Sequence, residues 1–216
     1  MPESFVWLPP DSTGKKLHTR NQTIGANDVH EQFVIPVSAR LNTGVFRSHT
    51  GAHVVQAAAQ NGTSTGFWWL YNTSATVICA LRRCHFMSQR GSALATPTSP
   101  RIVLQRITFT GTPAGTAIVP AKTDTGFGAA VASLRSTQVT SVVTLAEQFM
   151  AFLPMSDVST TVTGGATDTD WVPDTEDGEI LLRQNQGVVC WQPDAGSTSD
   201  TRRFVTSIAW SEFTIP

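Results

Sequence analysis

Residues 67–87, FWWLYNTSATVICALRRCHFM, decide the fold class. Phe67 to Tyr71 is a β-prone run of aromatic and apolar residues, the polar cluster Asn72 to Ala75 turns the chain, and Thr76 to Met87 is a second β-prone run. The first half of that second run is apolar on both faces, and its later part carries Arg82, Arg83 and His85. It reads as a central strand that emerges from the core at one end. The adjacent Trp68 and Trp69 fall on opposite faces of their strand, so at most one of them belongs to the core of a single sheet layer.

Outward from this stretch the same alternation continues. Short β-prone runs stand at 32–37 (QFVIPV), 44–49, 53–59, 101–109, 116–120, 179–184, 187–192 and 202–213. Between them lie turn clusters such as NGTSTG, TPTSP, GTPAG and DAGSTSD. Many short strands at this spacing predict an all-β, jelly-roll-like sandwich or barrel rather than βαβ units. Over 129–153 a helix competes with strand. Leu145 to Leu153 holds good helix formers and the part before it is rich in Val, Thr and Ser, so at most one short helix is expected. In the final run the two-residue period puts Phe204, Ile208 and Trp210 on one face, the structural core, with small residues mostly on the other. Pro2, Pro9, Pro10, Gly14 and Gly25 mark residues 1–31 as an extended N-terminal arm, and 32–216 as a single β-sandwich domain.

Only 14% of the residues are charged and the net charge is −1, which offers no basic field for a phosphate backbone; nucleic acid is not an expected partner. Lys15, Lys16 and Lys122 are the only lysines, a bias towards Arg that suits charges covered at interfaces. Small polar residues that solvate the surface explain the low charge equally well. No apolar stretch of about 18 residues is present and the amino terminus lacks a signal-peptide pattern. A soluble chain made in a cytoplasm, with no membrane partner, is expected. Cys79, Cys84 and Cys190 leave an odd thiol in any pairing, and the offset between the first two places them on opposite faces of one strand. Free, mostly buried thiols are expected.

Gly62 to Gly66, GTSTG, matches the G-x-S-x-G turn that presents a nucleophilic serine, but the run after it is β-prone rather than helical, and no acid followed by a histidine lies downstream. Ser64 is read as part of a hairpin turn. His49 and His53 stand four apart, a zinc spacing on a helix but roughly 13 Å on a strand. Asp168, Asp170, Asp174, Glu176, Asp177 and Glu179 gather oxygen ligands without the order of an EF-hand loop, and read as a solvated loop. Gly126 and Gly128 form a lone GxG without the strand and helix of a nucleotide site. No catalytic residue, metal site or cofactor is therefore expected. Six tryptophans raise glycan stacking, which falls to Trp69 or Trp191, since Trp210 is expected in the core.

Residues 186–213, QGVVCWQPDAGSTSDTRRFVTSIAWSEF, together with 68–86 and with 113–125, PAGTAIVPAKTDT, resemble a group of small virion structural proteins encoded by tailed bacteriophages. The resemblance spans Phe67 to Phe213 and leaves the arm outside it. It implies a jelly-roll-like domain, often trimeric, that decorates or cements the capsid or contributes to a fibre or tail, and it brings no catalytic residues. The expected partners are further copies of this chain, as a homotrimer, and the major capsid or other virion proteins, with the virion as location. The alternative is a fibre- or tail-associated module that binds a receptor or glycan. Phe5, Val6, Trp7 and Leu8 are the expected interaction residues of the arm, because an apolar group in a free tail would stay exposed to water.

Overall fold

The computed structural model describes residues 3–7, 16–24, 27–32, 41–89, 100–136, 142–152, 166–172, 180–198 and 202–214. The chain divides into two compact units, Met1–Ala39 and Arg40–Pro216. In the first, β1 (Glu3–Trp7), β2 (Lys16–Ile24) and β3 (Asn27–Gln32) form an antiparallel sheet in that order, with Trp7 opposite Lys16 and Ile24 opposite Asn27. The segment read as an extended arm thus pairs with itself, and the unit boundary falls after Ala39 rather than after residue 31. The reason lies in where the chain breakers stand. In the sequence Pro9, Pro10 and Gly14 stand between β1 and β2, and the strands themselves contain neither residue type.

The second unit is a sandwich of two antiparallel sheets, with no helix among the described residues. One sheet holds β4 (Leu41–His49), β5 (His53–Val54), β7 (Val77–Gln89), β10 (Ala121–Lys122), β13 (Ala166–Trp171), β14 (Ile180–Leu182) and β16 (Arg203–Thr214). Its order is β10-β4-β16-β7-β13, with β14 also on β7 and β5 on β16. The other runs β12-β8-β15-β6-β11-β9, from β6 (Trp68–Asn72), β8 (Ile102–Phe109), β9 (Ala117–Ile118), β11 (Ser133–Arg135), β12 (Val143–Phe152) and β15 (Gln186–Trp191). The stretch allowed as a short helix is β12. Its pairing with β8 shifts register on both sides of Gln148, so the helix-forming residues are absorbed as irregularities of a strand.

Between the sheets lies one apolar core. Phe46, Leu81, Phe86, Phe204, Ile208 and Trp210 enter it from one side, and Trp68, Leu70, Leu104 and Val188 from the other. Trp210 is fully buried and stacks on Phe46 at 5.8 Å, and Phe204 meets Phe67 edge-on at 4.8 Å. A second cluster of Trp69, Tyr71, Ile107, Phe109, Val143 and Val189 contains the alternate residues of β6, β8 and β15. Both tryptophans of the WW pair are therefore buried, one in each cluster.

Buried polar groups tie the two layers together. Glu212 on β16 accepts from the backbone N–H of Val131 (2.9 Å) and Ala132 (2.8 Å) and from the Trp210 indole N–H (3.1 Å). Those two residues lead into β11 of the opposite sheet. Asn72 at the end of β6 donates to the carbonyls of Val77 and Leu182, both at 2.8 Å, and so joins β6 to the other sheet. A carboxylate or amide with its partners in place costs little when buried, whereas the same group left unpaired is destabilising.

A β-bulge in β7 changes the parity of that strand. Ala209 faces Arg83 but Trp210 faces Leu81, which leaves Arg82 as the extra residue. Cys79 and Leu81 before the bulge and Cys84 and Phe86 after it consequently all point into the same core, so the opposite-face reading of Cys79 and Cys84 fails at this one residue. All three cysteines are free and buried, and burial pushes their thiols up, with the Glu212 charge adding to the effect at Cys79.

Candidate functional site

Two strands of the larger sheet carry the same tripeptide pattern, Arg47-Ser48-His49 on β4 and Arg83-Cys84-His85 on β7. On a strand, residues two apart share a face. Ser48 and Cys84 are buried, so each Arg and His turns to the outer face of the sheet. The central strand β16 runs antiparallel to both, with Ala209 opposite Arg47 and Arg83 and Ser207 opposite His49 and His85. The outer face thus presents two cross-strand rows, Arg47–Ala209–Arg83 and His49–Ser207–His85. Because the middle residue of each row is small, a trough of about 440 Å³ opens between the walls, lined also by Val45 and Arg82.

Asp170 stands behind one wall, on β13 opposite His85. Arg83 donates from Nε to its Oδ1 (2.8 Å) and from Nη2 to its Oδ2, a bidentate pair, and His85 Nδ1 lies 3.0 Å from Oδ1. The Arg83 hydrogen bonds hold the Asp170 carboxyl below its ordinary range, with His85 contributing, and the same pairing raises Arg83. Arg82, the extra residue of the bulge, donates to the Ser211 hydroxyl (2.6 Å) and lies 5.4 Å from the centroid of the Phe213 ring. Three guanidinium groups thus gather around a floor of Ser207 and Ala209, with one carboxylate outside the wall.

A smaller hollow of about 380 Å³ is formed over Trp69 by Gln56, Gln60, Ser64, Thr65 and neighbouring small residues. Gln192, fully buried, anchors this loop. Its Nε2 donates to the carbonyl of Gln56 (2.7 Å) and its Oε1 accepts from the Gln56 N–H (2.9 Å). Ser64 exchanges hydrogen bonds with Asn61, whose Oδ1 also accepts from the backbone of Thr63, Ser64 and Thr65; it is a turn residue, bonded to an amide and to no imidazole. Trp69 retains 2% exposure and offers no ring face for a sugar. Trp191 is half-buried, with Gly62 against its ring and its Nε1 donating to Gln105 (3.0 Å). Burial thus closes Trp69 to glycan stacking, whereas Trp191 is only partly covered.

The other sequence candidates are scattered. His49 lies on the exposed side of β4, and His53 sits between the rings of Phe67 (5.4 Å) and Phe204 (5.3 Å). Asp168 and Asp170 lie on β13, and the rest of the acidic run lies outside the described residues. Phe5, Val6 and Trp7 belong to β1, and Leu8 lies outside the described residues. Phe204, Ile208 and Trp210 are buried in the inter-sheet core. The trough escaped the sequence reading because its walls are 36 residues apart, as the numbers 47 and 83 show, and meet only across β16. The repeated R-x-H on two β-prone runs was the available signal. No family model matches the chain, and no curated protein matches it significantly.

Proposed function

We propose that this chain is a structural protein of a tailed-bacteriophage virion, a jelly roll that decorates or cements the capsid as a homotrimer and acts by binding rather than catalysis. The observation that carries the reading is strand order. Taking the principal strands in chain order as β4, β6, β7, β8, β12, β13 with β14, β15 and β16, one sheet is ordered first-eighth-third-sixth and the other second-seventh-fourth-fifth. That alternation, with successive strands passing between the two layers, supports the jelly-roll reading, an architecture used by viral capsid and lectin domains. The step from fold to role is analogy, reinforced by the sequence resemblance and by the sparse charge. The N-terminal unit supplies a means of attachment, since a three-stranded sheet this small gains stability by packing its apolar residues on another surface.

Light scattering on the purified chain tests the assembly, with an expected mass of three times 23.2 kDa. A monomer at micromolar concentration and above overturns the trimer. Deleting residues 1–39 is expected to leave the melting temperature of the sandwich unchanged and to weaken attachment to virions, and attachment as strong as that of the full chain would remove the N-terminal unit from the role. The basic trough favours a second reading, a fibre- or tail-associated module that holds a receptor ligand on the face of the sheet.

A further inference from the structure

We propose that the trough across Ala209 and Ser207 is a binding site for the sulfate or phosphate group of a small ligand. The inference is independent of the virion reading, because it rests on the geometry of one sheet face. The walls stand two strand spacings apart, about 10 Å, which admits one such group with donors on either side. Arg47 faces it from β4, and Arg82 and Arg83 face it from β7. The Asp170 pair engages Nε and Nη2 of Arg83, which fixes the guanidinium plane and leaves Nη1 without a partner among the described residues. A guanidinium held in this way needs no further ordering when an anion arrives.

The arrangement favours a tetrahedral oxyanion over a carboxylate. Arg47 on one wall and Arg82 and Arg83 on the other stand over Ser207 on the floor, so a ligand that engages both walls and the floor uses more than two acceptor oxygens. Asp170 does not oppose the ligand from within the trough, since β13 lies on the far side of β7 from β16. The cavity of about 440 Å³ is at the small end of ligand sites, large enough for the oxyanion and the group that bears it. With the Arg83 charge balanced by Asp170, Arg47 and Arg82 supply the net positive charge of the trough, in a chain whose net charge is −1.

Calorimetric titration of the full chain at constant ionic strength is the test, with inorganic sulfate, inorganic phosphate and glucose 6-sulfate as probes and a glutamate-rich peptide as a fourth arm. Saturable binding of at least one oxyanion is expected, weakened about tenfold or more by Arg47→Gln and less by Arg47→Lys, which keeps the charge but not the fork. Arg101→Gln, which breaks an exposed pair with Asp194 elsewhere on the fold, is expected to leave the affinity unchanged. Tighter binding of glucose 6-sulfate than of the inorganic ions identifies an ester-borne group as the natural source, and equal affinities identify the free ion. Absence of saturable binding, binding that persists in Arg47→Gln protein shown by its melting curve to be folded, or a response to the peptide alone overturns the proposal.

Discussion

His53 shows how a single side chain reports its surroundings. It lies between Phe67 and Phe204 with its Nε2 buried and without a partner among the described residues, and burial lowers its pKa from 6.5 to about 4. The unfolded chain takes up this proton near pH 6.5 and the folded chain only near pH 4, so between those values the unfolded state binds more protons. The His53 contribution to stability is therefore complete above about pH 6.5 and declines as the pH falls towards 4, by about 3 kcal/mol over the interval. Urea midpoints measured at pH 7 and pH 4.5 are expected to converge in His53→Phe relative to the parent chain; an unchanged difference would place the acid sensitivity elsewhere. The sequence did not show this, because a histidine in a β-prone run carries no mark of which neighbours close over it. Glu212 is similar. Nothing in WSEF distinguishes an exposed strand glutamate from one that gathers two backbone N–H groups and an indole in the core.

At the scale of the element, β15 is held by neighbours on both sides, with Gly187 facing Tyr71 of β6 and Ile107 of β8. A Cβ at position 187 would run into the Leu70 carbonyl oxygen and crowd the Ile107 side chain, so this strand glycine marks a close approach of backbones. Gly187→Ala is expected to cost about 1–3 kcal/mol of stability by overpacking, seen as a lower denaturation midpoint. A midpoint equal to the parent's would mean that the two flanking strands yield without strain. Strand identity was legible across most of the sandwich, since FWWLY, RIVLQRITF, GVVCWQ and the final run each hold a β-strand at about the place their composition indicates. Parity along a strand was not legible where a bulge intervenes, because one extra residue reverses every face beyond it, and Arg82 does so to Cys84 and Phe86. In β12 the local preference of Leu145 to Met150 was divided, and pairing with β8 decided it. In β1 to β3 the prolines and glycines drew attention away from strands they merely separate.

For the whole molecule, connectivity matters more than composition. β16, the last strand of the sandwich in sequence, is the central member of its sheet, flanked by β4 from the start of the same unit and by β7. It supplies Phe204, Ile208 and Trp210 to the core, the floor of the trough and the carboxylate that reaches the opposite layer. A chain that stops before Arg203 is accordingly expected to lack the stable sandwich altogether, and a sandwich that still resists limited proteolysis would show that β4 and β7 find another arrangement. In the cell this makes the strand a checkpoint on synthesis. As the polypeptide leaves the ribosome, β4 and β7 emerge early with nothing between them, and they stay open to chaperones and proteases until the keystone arrives. A molecule that stops short of its final sandwich strand is expected to stay open, so the order in which the fold is completed would itself screen out prematurely terminated copies.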